Sequence, residues 1–186
     1  ALTQIDDRGL KTPIDLLDDE KIRLGTGNDL ELYHSGSHSY IKDTGTGSLV
    51  INSNSFYLNN AADNETLIKA TEDSNVELYY NNIKTFETIS EGVRVQGDEG
   101  TSAVLELWAD QGDDNGDKWR IVSDQSSNYF AIQNYGSGSF EWTLRGAHNG
   151  AVDLYYDNSI KLSTQTNGSK IYGHLVLENG SQSKIL

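Results

Sequence analysis

The densest run of hard oxygen ligands in the chain is Asp110, Asp113, Asp114, Asn115 and Asp117. Carboxylates packed this closely suit Ca²⁺, which gathers oxygen ligands at short range. Asp113, Asn115 and Asp117 alternate as at the start of an EF-hand loop. Lys118 stands where the turn glycine belongs, however, and no glutamate closes the loop. The same residue types make an ordinary solvated hairpin loop. That reading takes precedence, and the expectation is weak calcium binding at most, with no other cofactor.

Aromatic faces with polar neighbours can stack on sugar rings. Trp108, Trp119, Tyr129, Tyr135 and Trp142 all fall in the second half of the chain, a candidate glycan surface. The competing use of such side chains is a core or a subunit interface. His34 and His38 flank Ser35-Gly36-Ser37 and could share a metal, but no third ligand accompanies them, and two surface histidines are the first reading. The chain has 28 acidic residues, so carboxylate pairs are plentiful and spacing alone selects none as a glycosidase pair. No serine-centred elbow, phosphate loop or His–Glu zinc motif is present, and no enzyme activity is expected.

The elements that must position these residues are written in a repeated formula: aliphatic, acid, leucine, aromatic. It occurs as Leu30-Glu31-Leu32-Tyr33, Val76-Glu77-Leu78-Tyr79, Leu105-Glu106-Leu107-Trp108 and Val152-Asp153-Leu154-Tyr155. Alternation at period two is strand language. It places the aliphatic and the leucine on one face and the acid and the aromatic on the other. The expectation is that Val76, Leu78 and Tyr80 turn inward and the acids face water. Tyr33, Tyr79 and Tyr155 then form an exposed stripe and a candidate subunit interface.

The first and third copies are 75 residues apart and the second and fourth 76, which indicates one module written twice. Residues 76–97 match 152–173 without a gap. Asn82 falls on Asn158, Thr88 on Thr164, Gly92 on Gly168 and Arg94 on Lys170. Upstream, Phe56 and Leu58 fall on Phe130 and Ile132, and Lys69 on Arg145.

Short alternating runs separated by turn signals imply an all-β fold. It consists of two tandem repeats of short antiparallel strands, elongated, either stacked like sandwiches or intertwined as fibre modules. The boundaries are an N-terminal attachment arm at 1–20, module one at 21–100, module two at 101–173, and a C-terminal strand and tail at 174–186. Within the arm, Thr12-Pro13 could cap a short helix over Ile14, Leu16 and Leu17. Further strands are expected at 48–52 and 174–178, among others. Asn81-Asn82 and Asp157-Asn158 are hairpin signals, because these residues tolerate positive φ.

Composition bounds the partners. A net charge of −14 offers nothing to neutralise phosphates, so nucleic acid is not expected. No apolar run approaches the length of a spanning helix, so membrane insertion is not expected. With no cysteine, disulfides and Cys-ligated zinc are excluded. An apolar content of 35% is low for a self-sufficient core, so help from other copies of the chain is expected.

The runs Lys21-Ile22-Arg23-Leu24-Gly25-Thr26-Gly27-Asn28-Asp29-Leu30, Glu31-Leu32-Tyr33-His34, Ser39-Tyr40-Ile41-Lys42 and Val76-Glu77-Leu78-Tyr79-Tyr80-Asn81-Asn82, with Lys84-Thr85-Phe86-Glu87-Thr88, carry a resemblance. They resemble modules in virion structural proteins of marine tailed phages, cyanophages among them. Those proteins are usually tail fibres or surface appendages. The resemblance covers most of residues 20–173. It implies a virion component on the outer surface, homotrimeric and adhering to a host glycan. Other virion proteins would be contacted through residues 1–20. That arm is short for a fibre, which leaves room for a passive capsid or tail decoration protein, or for a glycan-degrading tail protein.

Overall fold

The computed structural model describes residues 15–175 and the strand backbones of residues 177–179 and 182–184. The fold is all-β and antiparallel throughout. The chain divides at Asn52/Ser53 into two units. The first contains a three-stranded sheet: β1 (Ile22–Leu24), β2 (Leu30–His34) and β3 (Ser39–Asp43).

The second unit contains a five-stranded meander: β4 (Ser55–Asn59), β5 (Thr66–Thr71), β6 (Val76–Tyr80), β7 (Ile83–Ile89) and β8 (Gly92–Val95). A seven-stranded meander follows. Its first strands are β9 (Ala103–Trp108), β10 (Lys118–Asp124) and β11 (Tyr129–Asn134). It continues through β12 (Glu141–Ala147), β13 (Val152–Tyr156), β14 (Ser159–Gln165) and β15 (Gly168–Ile171). A hairpin of β16 (Leu177–Asn179) and β17 (Gln182–Lys184) comes last. The stretch 21–100, expected as one module, therefore holds two separate sheets.

The duplication is visible in the pairing. Ile68, Leu78, Phe86 and Val95 face one another across β5–β8. Leu144, Leu154, Leu162 and Ile171 do the same across β12–β15. Even the irregularities coincide. Thr85 is the extra residue of a bulge opposite Leu78/Tyr79, and Lys161 that of one opposite Leu154/Tyr155. Each bulge carbonyl accepts a backbone N–H, from Gln96 at 3.0 Å and Tyr172 at 2.9 Å. The two turns hold positive φ at both central residues, 52° and 62° at Asn81 and Asn82, 50° and 52° at Asp157 and Asn158. Such turns match the twist of the flanking strands.

The sheets are sorted by face, but opposite to expectation. In the seven-stranded sheet, Leu105, Ile121, Ile132, Leu144, Leu154, Leu162 and Ile171 form one continuous aliphatic row, one residue per strand. Leu58, Ile68, Leu78, Phe86 and Val95 form the same row across five strands, and Ile22, Leu32 and Ile41 across three. Among the described residues these rows are half-exposed to exposed and none of their members is buried: Leu78 is 40% exposed and Leu154 42%, while Glu77 is 6% exposed and Asp153 4%. Val76 and Tyr80 are exposed as well. Alternation fixed which residues share a face; it could not say which face would be covered. Among the described residues the buried apolar side chains are Val122 and Ala131 alone, cross-strand partners on the polar side of the seven-stranded sheet.

Three local expectations differ from the structure. Residues 48–52 form no strand; Leu49, Val50 and Ile51 are exposed and pair with no strand among the described residues. Asp15, Leu16 and Leu17 are not helical, and the rest of that expected helix lies outside the described residues. The strand expected at 174–178 begins at Leu177, and His174 and Leu175 are irregular.

Candidate functional site

The polar face of each sheet is built from the acid and aromatic of the repeated formula. On the five-stranded sheet the register aligns Tyr57, Lys69, Glu77, Glu87 and Arg94. Two adjacent carboxylates would repel, but cations are threaded between them. Lys84 Nζ donates to Glu77 Oε1 at 3.0 Å and to Glu87 Oε2 at 2.6 Å. Lys69 Nζ lies 3.0 Å from Glu77 Oε2, and Arg94 Nη1 donates to Glu87 Oε1 at 2.6 Å. Asn75 Nδ2 donates to both acids and Tyr79 Oη to Glu77 Oε2. Burial raises the Glu77 pKa, but the hydrogen bonds from Lys84, Lys69 and Tyr79 outweigh it and hold the group at about 2. The three-stranded sheet repeats the device in small, with Lys21 and Arg23 donating to Glu31.

On the seven-stranded sheet the corresponding row is Ala131, Arg145, Asp153, Ser163 and Lys170. One acid and the bridging lysine are gone: Ser163 stands at the place of Glu87 and Ile160 at that of Lys84. Rings occupy the face instead. Tyr129 meets Trp142 edge-on at 4.7 Å between centroids, and Trp142 stacks with Tyr155 at 6.1 Å. The Arg145 guanidinium carbon lies 5.4 Å from the Trp142 centroid and 5.8 Å from that of Tyr155. Arg145 Nη2 donates to Asp153 Oδ2 at 2.9 Å, and its Nε is buried without a partner. Further along the same face, Tyr135 meets Phe140 at 4.9 Å, Arg120 lies over Phe140, and Lys118 lies between the Trp108 and Tyr135 rings.

Four of the five aromatics singled out as a glycan surface, Trp108, Tyr129, Tyr135 and Trp142, thus share one face with Lys118, Arg120 and Arg145. Trp119 does not join them; it pairs with Leu107 and lies in register on the aliphatic side. Tyr79 and Tyr155 are half-buried on the polar face and bonded to Glu77 and Asp153. Tyr33 stacks on Tyr40 at 4.7 Å with Lys21 over its ring. Arg145 and Lys84 were not singled out from the sequence as site residues. The signal for Arg145 was its match with Lys69; Lys84 gave none, because its alliance depends on a bulge.

Among the acids at 110–117, Asp113, Asp114 and Asp117 bring one oxygen each within 4.8 Å of the others, and Asp110 is not part of that group. Asp113 and Asp114 are exposed, and across the 3₁₀ turn Asn115–Asp117 the Asp117 Oδ2 accepts the Asp114 N–H at 3.4 Å. The loop therefore has its own use for one of the three carboxylates. Gly112, at φ 69°, packs against the Trp108 ring, where an added Cβ would come within 2.6 Å. His34 Nδ1 lies 3.1 Å from Ser39 Oγ, while His38 tilts against Tyr40 at 6.2 Å between centroids. Among the described residues no helix is long and apolar enough to cross a membrane.

Comparison with family models, with curated proteins and with solved structures finds no match for this chain.

Proposed function

We propose that the chain is a structural component of a tailed-phage virion, a tail-fibre or appendage module, that assembles as a homotrimer and adheres to host-surface glycan through its polar face. The observation that supports it is the aliphatic row on every meander, seven residues long on the largest sheet, none of them buried and Leu105, Leu154 and Ile171 exposed. Apolar surface is worth about 25 cal/mol per Å² when removed from water. A row repeated at fixed intervals is complementary to another copy of itself, and closed rotational symmetry covers every copy equally. The number three and the place on a virion come from the resemblance of the repeats to phage appendage modules. Tyr33, Tyr79 and Tyr155 lie on the other face, so the subunit contact is assigned to the aliphatic rows.

Light scattering on the purified full chain tests the assembly. A mass three times that of the 20.5 kDa chain is expected. A monomer at micromolar concentration overturns the reading.

A further inference from the structure

The two halves of the duplication act as an internal control on the polar face. Their backbones pair alike, yet the second half carries Trp142 where the first has Thr66, Tyr129 where it has Ser55, and Ser163 where it has Glu87. The first half shows that this arrangement of strands needs neither of the added rings. It also shows what neutralises the cations: Glu77 and Glu87 between them take Lys69, Lys84 and Arg94. In the second half Arg145 meets a single oxygen of Asp153 through one nitrogen, and Lys170, at the place of Arg94, meets no carboxylate among the described residues. The change is therefore the addition of rings together with the loss of one acid and of the lysine that bridged it, Ile160 standing at the place of Lys84, so the row's balance of charge is kept while Arg145 has one carboxylate oxygen and a set of rings beside it. It lies on the face turned away from the aliphatic row, which stays open when the row is covered.

We infer that Trp142, Tyr155 and Arg145 bind an acidic sugar, a pyranose carrying a carboxylate or a sulfate. The apolar C–H face of the sugar lies against the rings. Its anion takes guanidinium donors that Asp153 leaves unused, in the planar geometry that arginine offers and lysine does not. A neutral sugar would satisfy the rings and leave the guanidinium short of an acceptor. This rests on the adhesion reading above and gives it a ligand class.

The full chain is titrated at low salt with oligogalacturonate, alginate oligomers and heparin-derived oligosaccharides, beside dextran as the uncharged probe. Tryptophan fluorescence and calorimetry give the readouts. At least one acidic probe binds, dextran does not, and added salt weakens the binding. Trp142→Thr installs the first half's residue and abolishes binding. Arg145→Lys installs Lys69's chemistry and weakens it about tenfold. Both variants keep the parent's oligomeric state, and Arg145→Lys keeps its melting temperature, so the loss of affinity in that variant is not a loss of fold. Three outcomes overturn the site: no binding of any acidic probe at millimolar concentration, equal binding of dextran, or parental binding by Trp142→Thr and Arg145→Lys. A trimer that fails to bind sinks the sugar site and leaves the assembly standing; a monomer that binds does the reverse.

Discussion

Lys84 and Glu87 are three residues apart on one strand and lie 2.6 Å apart on one face. Strict alternation would put them on opposite sides of the sheet. The bulge at Thr85 restores them to the same side and so permits a lysine to bridge two stacked carboxylates. Removing that bridge has a defined cost. Lys84→Met leaves Glu77 with Lys69 and Glu87 with Arg94, and should destabilise the protein by about 1 kcal/mol, since the lysine is partly solvated. Urea unfolding at neutral pH measures it, and an unchanged midpoint would show the bridge to be ornamental.

Acid should undo the polar face. Glu77 is held at about 2, and Glu31 and Glu87 are lowered by Lys21 and Lys84 respectively. A depressed carboxyl stabilises the folded state above its unfolded value of about 4.3. That stability is lost as pH falls through the folded value. The melting temperature should be flat from neutral pH down to about 5 and fall progressively from there toward 2. In Glu77→Gln the fall should be shallower. A melting temperature independent of pH over that window would contradict the ion-pair network.

The faces of the sheets were legible only by half. The repeated formula, the period, the hairpin turns and nearly every strand followed from alternation and turn chemistry. What alternation cannot express is which side has a neighbour. Glu77 and Leu78 look identical in that respect, and the acid was assigned to water because acids usually are. Here lysine and arginine stems and tyrosine rings shield the carboxylate, whereas among the described residues Leu78 stays 40% exposed. The run Leu49-Val50-Ile51 misled for a related reason: it has strand composition but no strand beside it. The aromatic cluster was half legible too. Trp142 and Tyr129 stood out by type, but the alignment of Trp142 with Arg145 depends on the bulge at Thr143 opposite Ile132/Gln133.

Leu78→Asp and Leu154→Asp should separate the subunits, because each places a charge in the middle of an aliphatic row. The elution volume should shift to that of a single chain. Tyr79→Phe and Tyr155→Phe, altered on the other face, should leave it unchanged. If the tyrosine variants dissociate and the aspartate variants do not, the assignment of faces is reversed.

The hairpin asparagines do two separable things. Asn82 holds φ at 62° and its Oδ1 accepts the Thr66 N–H at 3.0 Å; Asn158 does the same for Trp142 N–H. Asn82→Gly keeps the conformation and removes the acceptor, and should cost about 1 kcal/mol. Asn81→Gly, at φ 52°, loses no such bond and should be within a few tenths of the parent. Paired thermal melts decide it; equal effects at the two positions would mean that backbone conformation alone matters.

For the acidic loop, Asp117→Ala removes the acceptor of the Asp114 N–H and should cost about 1 kcal/mol, by the same amount in calcium and in chelator. A loss confined to calcium-containing buffer would reveal a metal site.

The open aliphatic rows bear on how the chain comes to be folded at all. A strand that shields only its charged side gains little from ordering its backbone, while the conformational entropy of ordering is owed in full. In the proposed assembly, order and association would be coupled, and the stability of residues in these sheets would depend on chain concentration. A dilute chain, newly made and without its copies, should spend its early life exposing the same leucines that later hold the assembly together.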